Sequence, residues 1–499
     1  MTERRIIVIG AGLSGLSAGV YARLGGYPCL IVEQYSGPGG VASCWKRGEY
    51  LIDGGIHFFM GHRPQDASSV LFRELLGGDM GDRVAEMRIY GRYVDENKGR
   101  RVDVTRDLDR LARDLKGYAG EDLDLINLII EGARRLRRLD LSRVALYLPP
   151  ELSPPLARLG EMWAMRRAWR SFSGAYGRSM SDFARACFDP WLSRFLANLF
   201  LPDVPVWFVC FLLALLADGG LGYLKNGSLD FVRSIEKRFL ELGGDVAYNA
   251  PVESILVENG RASGVRLEDG RILRSGAVIS AADGRETLFR LLGGRYLDKA
   301  AVERYSSWKL APAGLTVSFG LRRELADEVP LTTISLMHPI SFNGSKVQDL
   351  SLRIFNYSPA FAPKGRCVLQ AWAEADFDSW QRLRDGDPSG YESEKKRAAE
   401  EILKRLEKHY PGISGQVELA DVVTPATVRR ITRNHRGASM AWMPTPRFFK
   451  TPLRRTLKGV SDFALAGQWV AGSGVVPCLL SGKHAVEILH RSGLKPSGG

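Results

Sequence analysis

The chain has 499 residues, 45% of them hydrophobic and 25% charged, with a net charge of +13 at neutral pH. That is globular composition with ample material for a core, and the length favours two domains over one. The basic balance suits an anionic lipid surface, nucleic acid or a plainly solvated surface; six scattered cysteines with no CxxC pair exclude a cysteine metal cluster and a dithiol motif, and read as free thiols in a reducing compartment.

The N-terminal segment carries the strongest signal. The apolar run Ile6-Ile7-Val8-Ile9 predicts a strand; Gly10-Ala11-Gly12-Leu13-Ser14-Gly15 follows, then a helical stretch, then a second apolar strand ending Ile31-Val32-Glu33. This is the β-turn-α-β fingerprint of a dinucleotide-binding domain, with its acid about 20 residues on. Gly10 permits the tight turn, Gly12 lets the backbone approach a pyrophosphate, and Gly15 lets the helix pack near the sheet. The N–H groups at the helix start, at Leu13 and Ser14, point at the phosphates, where the helix dipole favours negative charge. Glu33 can accept hydrogen bonds from a ribose diol and would repel a 2′-phosphate. The chain enters this loop almost at once, so no secretory signal is expected and the protein reads as cytoplasmic. The sequons at Asn226, Asn343 and Asn356 then carry no weight.

A glycine-rich turn, Gly37-Pro38-Gly39-Gly40, follows, and after a polar strand-like stretch comes Asp53-Gly54-Gly55-Ile56-His57-Phe58-Phe59. Residues 65 to 200 read as largely helical, with Leu125, Ile129, Leu136 and Leu139 at helical spacing and a loop at Pro149, Pro150, Pro154 and Pro155. The longest uncharged apolar run, Val206 to Ala217, falls short of the roughly 20 residues a bilayer requires. It reads as a buried helix or as the lining of a tunnel for a long apolar substrate. Gly219-Gly220-Leu221-Gly222 follows no clear strand and reads as a loop. A long amphipathic helix is expected from about Gly222 to Leu242, capped by Gly243-Gly244.

Asn259-Gly260 and Asp269-Gly270 predict hairpin turns between short strands, and Ala277 to Ala282 predicts a buried strand running into Asp283-Gly284. Leu315 to Leu321, Thr332 to His338, Ser351 to Asn356 and Val368 to Trp372 predict an antiparallel sheet; a helix over 395–409, a strand and a closing glycine-rich helix complete the chain. Tryptophan and arginine interleave over Met162 to Arg170, and Arg134-Arg135-Leu136-Arg137-Arg138 is basic. Such stretches suit a lipid headgroup zone. They admit either peripheral docking on the inner face of the membrane or ordinary amphipathic surface helices. No zinc spacing or recognised nucleic-acid module is present, so no nucleic-acid partner is expected.

Several separated segments now match one family in order: GAGLSGLSAG, PGG, DGGIHFF, GYLKNGSLDF, VESILVENGRASGV with VISAADG, NYSPAFAPKG, TPATVRRITRNHRGASMAW and LAGQWVAGSGVVPCLLSG. The chain resembles the FAD-dependent flavoproteins that group phytoene desaturases, carotenoid isomerases and retinol saturases, relatives of the amine oxidases. The resemblance implies an α/β protein. A discontinuous Rossmann-type FAD-binding domain (1–65, 220–290 and 420–499) would carry an inserted α+β substrate domain of mixed sheet and helices (66–219 and 291–419). It implies that Val252 contacts adenine through its backbone and that Gly467 and Gln468 sit at the ribityl and pyrophosphate. Val476 and Pro477 would pass the flavin ring, Gly54 and Gly55 would let backbone approach it, and Gly39 and Gly40 would belong to the same site. Three positions depart from the family pattern. Gln468 stands where an acid is frequent, Ser473 to Cys478 replace a glycine-rich run, and Val41 replaces an arginine. Only one dinucleotide fingerprint occurs, which argues against a flavoenzyme with its own pyridine-nucleotide domain.

The implied function is FAD-dependent oxidoreduction at C–C or C=C bonds (desaturation, saturation or isomerisation) of a long hydrophobic polyene, isoprenoid or unsaturated lipid. The alternatives are an amine oxidase, with Trp442 and Phe58 as aromatic faces, and a non-catalytic flavin-binding protein. His57 is the candidate catalytic acid–base group, against a packing role. The other histidines show no ligand spacing, no metal is expected, and Cys478 reads as a small apolar filler. Oligomeric state is not legible.

Overall fold

The computed structural model describes residues 5–138, 148–153 and 169–496. Its centre is a five-stranded parallel sheet assembled from distant parts of the chain, in the order Asp245–Ala247, Cys29–Val32, Ile6–Ile9, Ala277–Ser280, Phe463–Leu465. Both faces are covered, which is why these strands are continuous apolar runs. Ile6 and Val8 face a core shared with the helices Leu13–Leu24, Gly227–Glu241 and Val475–Arg491. Ile7 and Ile9 face the antiparallel meander Val252–Glu258, Arg261–Leu267, Ile272–Arg274. The meander's first turn is Asn259-Gly260, both with positive φ (50° and 75°), as a primed two-residue turn demands.

Backbone meets backbone where the first helix lands. A Cβ on Gly15 would stand 1.8 Å from the Gly10 carbonyl oxygen, and one on Gly482 of the last helix would stand 2.4 Å from the Ser14 oxygen. The Ser17 hydroxyl donates to the Leu479 carbonyl across the same contact (2.6 Å).

A second, seven-stranded sheet lies in the order Val417–Val423, Gly314–Leu321, Cys367–Glu374, Ser345–Ile354, Leu331–Phe342, Ile89–Asp95, Arg100–Thr105. The four strands read from 311–380 are there, antiparallel and longer than expected. The sheet is mixed because Leu331–Phe342 pairs in parallel with Ile89–Asp95. This hairpin, Ile89–Asp95 with Arg100–Thr105, corrects the helical reading of 65–200. Its period-2 pattern is diluted by Arg92, Arg100, Arg101 and Asp103, and its partner strand lies some 240 residues away in sequence, near Thr332. Elsewhere the segment is helical: Leu123–Arg137 buries Ile126, Ile129, Ile130 and Leu136 against Val206–Ala217. The predicted 395–409 helix extends to Pro388–His409, with Asp387 capping it through the Gly390 N–H.

Gly219-Gly220 is a turn, but the loop reading ends there. Leu221–Leu224 is a fully buried strand between Phe59–Met60 and Val84–Glu86, and the amphipathic helix begins only at Gly227. Partner strands distant in sequence, not local pattern, make this short segment a strand. Leu139 and Met162 to Ala168 lie outside the described residues. Arg134 and Arg137 are ion-paired with Asp109 and Asp218. No helix among the described residues is long and apolar enough to cross a membrane.

His484 of the last helix is 4% exposed, and burial pushes its pKa from the ordinary 6.5 down to about 3, with Arg455 and Lys483 adding to the effect. The unfolded chain therefore binds a proton that the fold refuses between those values, so this residue's contribution to stability is present above pH 6.5 and is lost on acidification toward pH 3. Denaturant unfolding at pH 7, 5.5 and 4 should show a steeper acid loss for the native chain than for His484→Gln.

Candidate active site

One cavity of about 1740 Å³ runs through the molecule. Its inner end lies at the carboxyl ends of the parallel strands, where Gly10, Glu33, Asp283 and Gly467 follow successive strands of the sheet. This is the crevice in which open α/β sheets bind ligands.

Of the residues singled out from the sequence, Gly10, Gly12, Leu13, Ser14, Glu33, Gly39, Gly40, Gly54, Gly55, His57, Val252, Gly467, Gln468, Val476 and Pro477 all line this cavity. Gly15 does not; it sits behind the wall, against Gly10, in the packing role expected of it. Gly12 is the N-cap of the helix Leu13–Leu24 and offers no side chain to its first N–H groups. The turn Gly39-Gly40 is tied to the loop by the Gly39 N–H donating to the Ala11 carbonyl (3.0 Å). Glu33 is fixed by the N–H groups of Ala11 (2.7 Å) and Tyr35 (2.8 Å), while burial raises its pKa. The Val252 carbonyl already accepts from Arg290 (2.8 Å), a bond an adenine would have to share. Gly467, at φ 101°, caps the short helix Gln468–Ala471, and its N–H donates to Ser481 (2.7 Å).

The Gly54–His57 loop is held by groups the sequence reading passed over. The Asp53 carboxylate accepts from the Gly55 N–H (2.8 Å) and from the Ser228 N–H (3.0 Å) and hydroxyl (2.8 Å). The Ser228 hydroxyl also accepts from the Ile56 N–H (2.6 Å). A Cβ on Gly55 would stand 2.6 Å from that hydroxyl oxygen. Beneath the loop, the Arg353 guanidinium donates to the carbonyls of Asp53 and Ile56 (3.3 Å each) and to Gln370 (3.4 Å); Gln370 in turn donates to Ser318 (3.1 Å). The legible signal was an acid directly before Gly54-Gly55; Arg353 sits in a strand that also carries Lys346, Gln348 and Asp349, so nothing local sets it apart.

His57 turns its ring into the cavity. Enclosure away from bulk water, then the Arg353 charge, push its pKa down to about 3, so the imidazole is neutral and has no acidic proton to give near pH 7. Asp283 is 4% exposed and burial raises its pKa to about 6, against the N–H groups of Glu286 and His435 that it accepts from. Burial keeps the Cys478 thiol protonated, with its pKa pushed up to about 11. Among the described residues no group of acidic, cysteine or histidine side chains could hold a metal.

The outer arm of the cavity is aromatic. Phe172, Phe200, Trp207, Phe208, Phe211 and Phe449 line it, with ring centroids 4.8 Å apart for Trp207 and Phe449 and 5.2 Å for Phe172 and Trp207. The Val206–Ala217 run is a helix with a buried side and a cavity side: Val209, Cys210 and Leu213 are core, while Trp207, Phe208 and Phe211 line the cavity. Phe58 lines the wall beside Tyr90 (5.9 Å). Trp442 does not line it. It is 2% exposed, packed among Tyr305, Trp308 and Trp469, with its N–H donating to the Trp469 carbonyl. An aromatic pair formed by Trp442 and Phe58 is therefore absent.

The sequence profile of flavin-containing amine oxidoreductases matches residues 13–490. The chain belongs to that family. Among its relatives, prolycopene isomerase of Arabidopsis thaliana is 24% identical, over 94% of this chain and 79% of that protein. The lycopene-forming phytoene desaturase of Pseudescherichia vulneris is 27% identical over 95% of both. The solved structure of cyclohexylamine oxidase from Brevibacterium oxydans aligns with a TM-score of 0.60 at 15% identity, over 98% of this chain and 99% of that one, which shows the shared fold. The protein is an enzyme of this flavin-containing family and its cofactor is FAD.

The residues fit that cofactor. The uncapped helix start at Gly12-Leu13-Ser14 opens into the crevice, a fixed carboxylate stands at the second strand end, and the cavity exceeds the roughly 300–1,000 Å³ of a single small-ligand site. Flavin supplies hydride-transfer chemistry, and the protein supplies orientation and a dry pocket. A Cβ on Gly12 meets nothing closer than 3.9 Å. Gly12→Asp should therefore fold normally yet purify without yellow colour, because its carboxylate occupies and repels the phosphate position; absorbance near 450 nm against circular dichroism checks this.

Proposed function

We propose that this flavoenzyme desaturates, saturates or isomerises carbon–carbon bonds of a long hydrophobic polyene, isoprenoid or unsaturated lipid. One observation carries the reading: the dinucleotide crevice continues without a break into the aromatic arm around Trp207, Phe208 and Phe211. An apolar corridor of edge-on and tilted aromatic rings suits an extended unsaturated chain, which needs burial and orientation rather than hydrogen bonds. The similar proteins are named for prolycopene isomerisation and phytoene desaturation. The amine-oxidase alternative lacks the aromatic partner expected from Trp442.

In this reading the cofactor unit is 1–65, 220–290 and 420–499, and the substrate unit is 66–219 and 291–419. Glu33 holds the ribose, Gly12, Leu13 and Ser14 the pyrophosphate, and Val252 the adenine. Gly467 and Gln468 hold the ribityl end, with Val476, Pro477, Gly54 and Gly55 around the ring. His57, as a neutral imidazole, accepts rather than donates a proton. Docking of the basic protein at the inner membrane face would deliver a substrate dissolved in the bilayer; exposed Arg135 and Arg138 support it.

Anaerobic mixing of the FAD-loaded protein with a panel of polyenes and unsaturated lipids should bleach the flavin, or isomerise the polyene, with at least one member. A panel of amines should neither bleach it nor yield hydrogen peroxide in air. Flavin reduction by an amine alone would overturn the proposal. His57→Gln should retain FAD and lose roughly 10²–10⁴-fold in turnover, measured on whichever substrate the first experiment yields.

A further inference from the structure

We infer that Arg353 is the fixed cation of the flavin chamber: a positioning residue that grips the Gly54–His57 loop from beneath and whose charge favours the electron-rich form of bound FAD. The inference rests on the site assigned above.

Arg353 stands on Ser345–Ile354 of the seven-stranded sheet, 8% exposed, at the cavity wall. Its three hydrogen bonds go to the Asp53 and Ile56 carbonyls and the Gln370 amide oxygen, all neutral acceptors. The nearest acid in the chain sequence of the loop, Asp53, spends its carboxylate on Gly55 and Ser228. No carboxylate among the described residues forms an ion pair with Arg353. Other arginines of the same cavity do have one: Arg92 with Asp103 (2.7 Å), Arg290 with Glu286 (2.5 Å) and Arg433 with Glu268 (2.8 Å). A buried charge without a counter-ion is costly, and the face of Phe355, 4.7 Å from the guanidinium carbon, offsets that only in part. Such a residue suits a chamber whose ligand becomes negative during turnover.

FAD does so. Removal of hydride from a substrate C–H bond brings the ring two electrons and one proton, leaving it one negative charge richer until a second proton follows. The substrate's other hydrogen leaves as a proton to a base or to water. Arg353 gives up no atom in this sequence; its charge lowers the energy of the state in which negative charge resides on the cofactor. The same charge adds to the larger effect of desolvation in lowering the His57 pKa, so Arg353 acts on both the loop geometry and the electrostatics above it.

The test is the two-electron midpoint potential of bound FAD, measured by reductive titration against a reference dye at saturating FAD. Arg353→Gln keeps a polar amide at this position and removes the charge; Arg353→Lys keeps the charge. Expected are a shift to more negative potential in Arg353→Gln equivalent to at least a tenfold weaker preference for reduced FAD, about 30 mV for a two-electron couple, and a potential close to the native value in Arg353→Lys. Arg353→Met is the second neutral variant, for use if Arg353→Gln does not fold. FAD-loaded neutral variants with the native potential would overturn the inference, as would an equal shift in Arg353→Lys, which would assign the effect to loop geometry alone. Native protein that binds no FAD would instead overturn the site assignment itself.

Discussion

The closeness of the first helix to the first strand is the constraint on which the site depends. Gly15 presses on the Gly10 carbonyl with no room for a Cβ, and Gly482 presses the last helix onto the first at Ser14. These two contacts bring residues nearly 470 positions apart in sequence into one wall, and they fix the direction in which the uncapped N–H groups of Leu13 and Ser14 point. A helix start held a few ångströms further out would no longer present those N–H groups to the crevice.

A second knot ties the Gly54–His57 loop to the seven-stranded sheet. Asp53 ends one strand, Ser228 begins the helix Gly227–Glu241, and the hydrogen bonds between them draw the Gly54–His57 loop tight. Arg353 meets the loop from the seven-stranded sheet below. The Gly54–His57 loop, the helix Gly227–Glu241 and the seven-stranded sheet therefore share one polar junction. The chemistry proposed for the chamber sits beside this junction.

Legibility followed the range of the interactions involved. The strand–turn–helix of the glycine loop, the Asn259-Gly260 turn and the four strands of 311–380 rest on local rules of conformation and periodicity, and they read correctly from the chain. The hairpin Ile89–Asp95 with Arg100–Thr105 did not, because its alternation is broken by arginines and its parallel partner is Leu331–Phe342. Leu221–Leu224 did not either: four residues behind two glycines carry no strand signal until Phe59–Met60 and Val84–Glu86 flank them. Trp442 read as a cavity face because aromatic type is visible in sequence, whereas the side on which its ring packs is not.

By itself the sequence determined that the chain opens on a dinucleotide-binding fingerprint, with an acid at the end of the second strand, because a strand, a glycine turn and a helix N-terminus are formed by neighbours in the chain. Only the tertiary structure decided that Arg353, Gln370 and Ser318 lie under the Gly54–His57 loop, that His57 is neutral and that Trp207 faces the corridor while Trp442 does not. Those outcomes depend on burial and on charges brought together from remote segments, and neither is encoded in any local stretch of the chain.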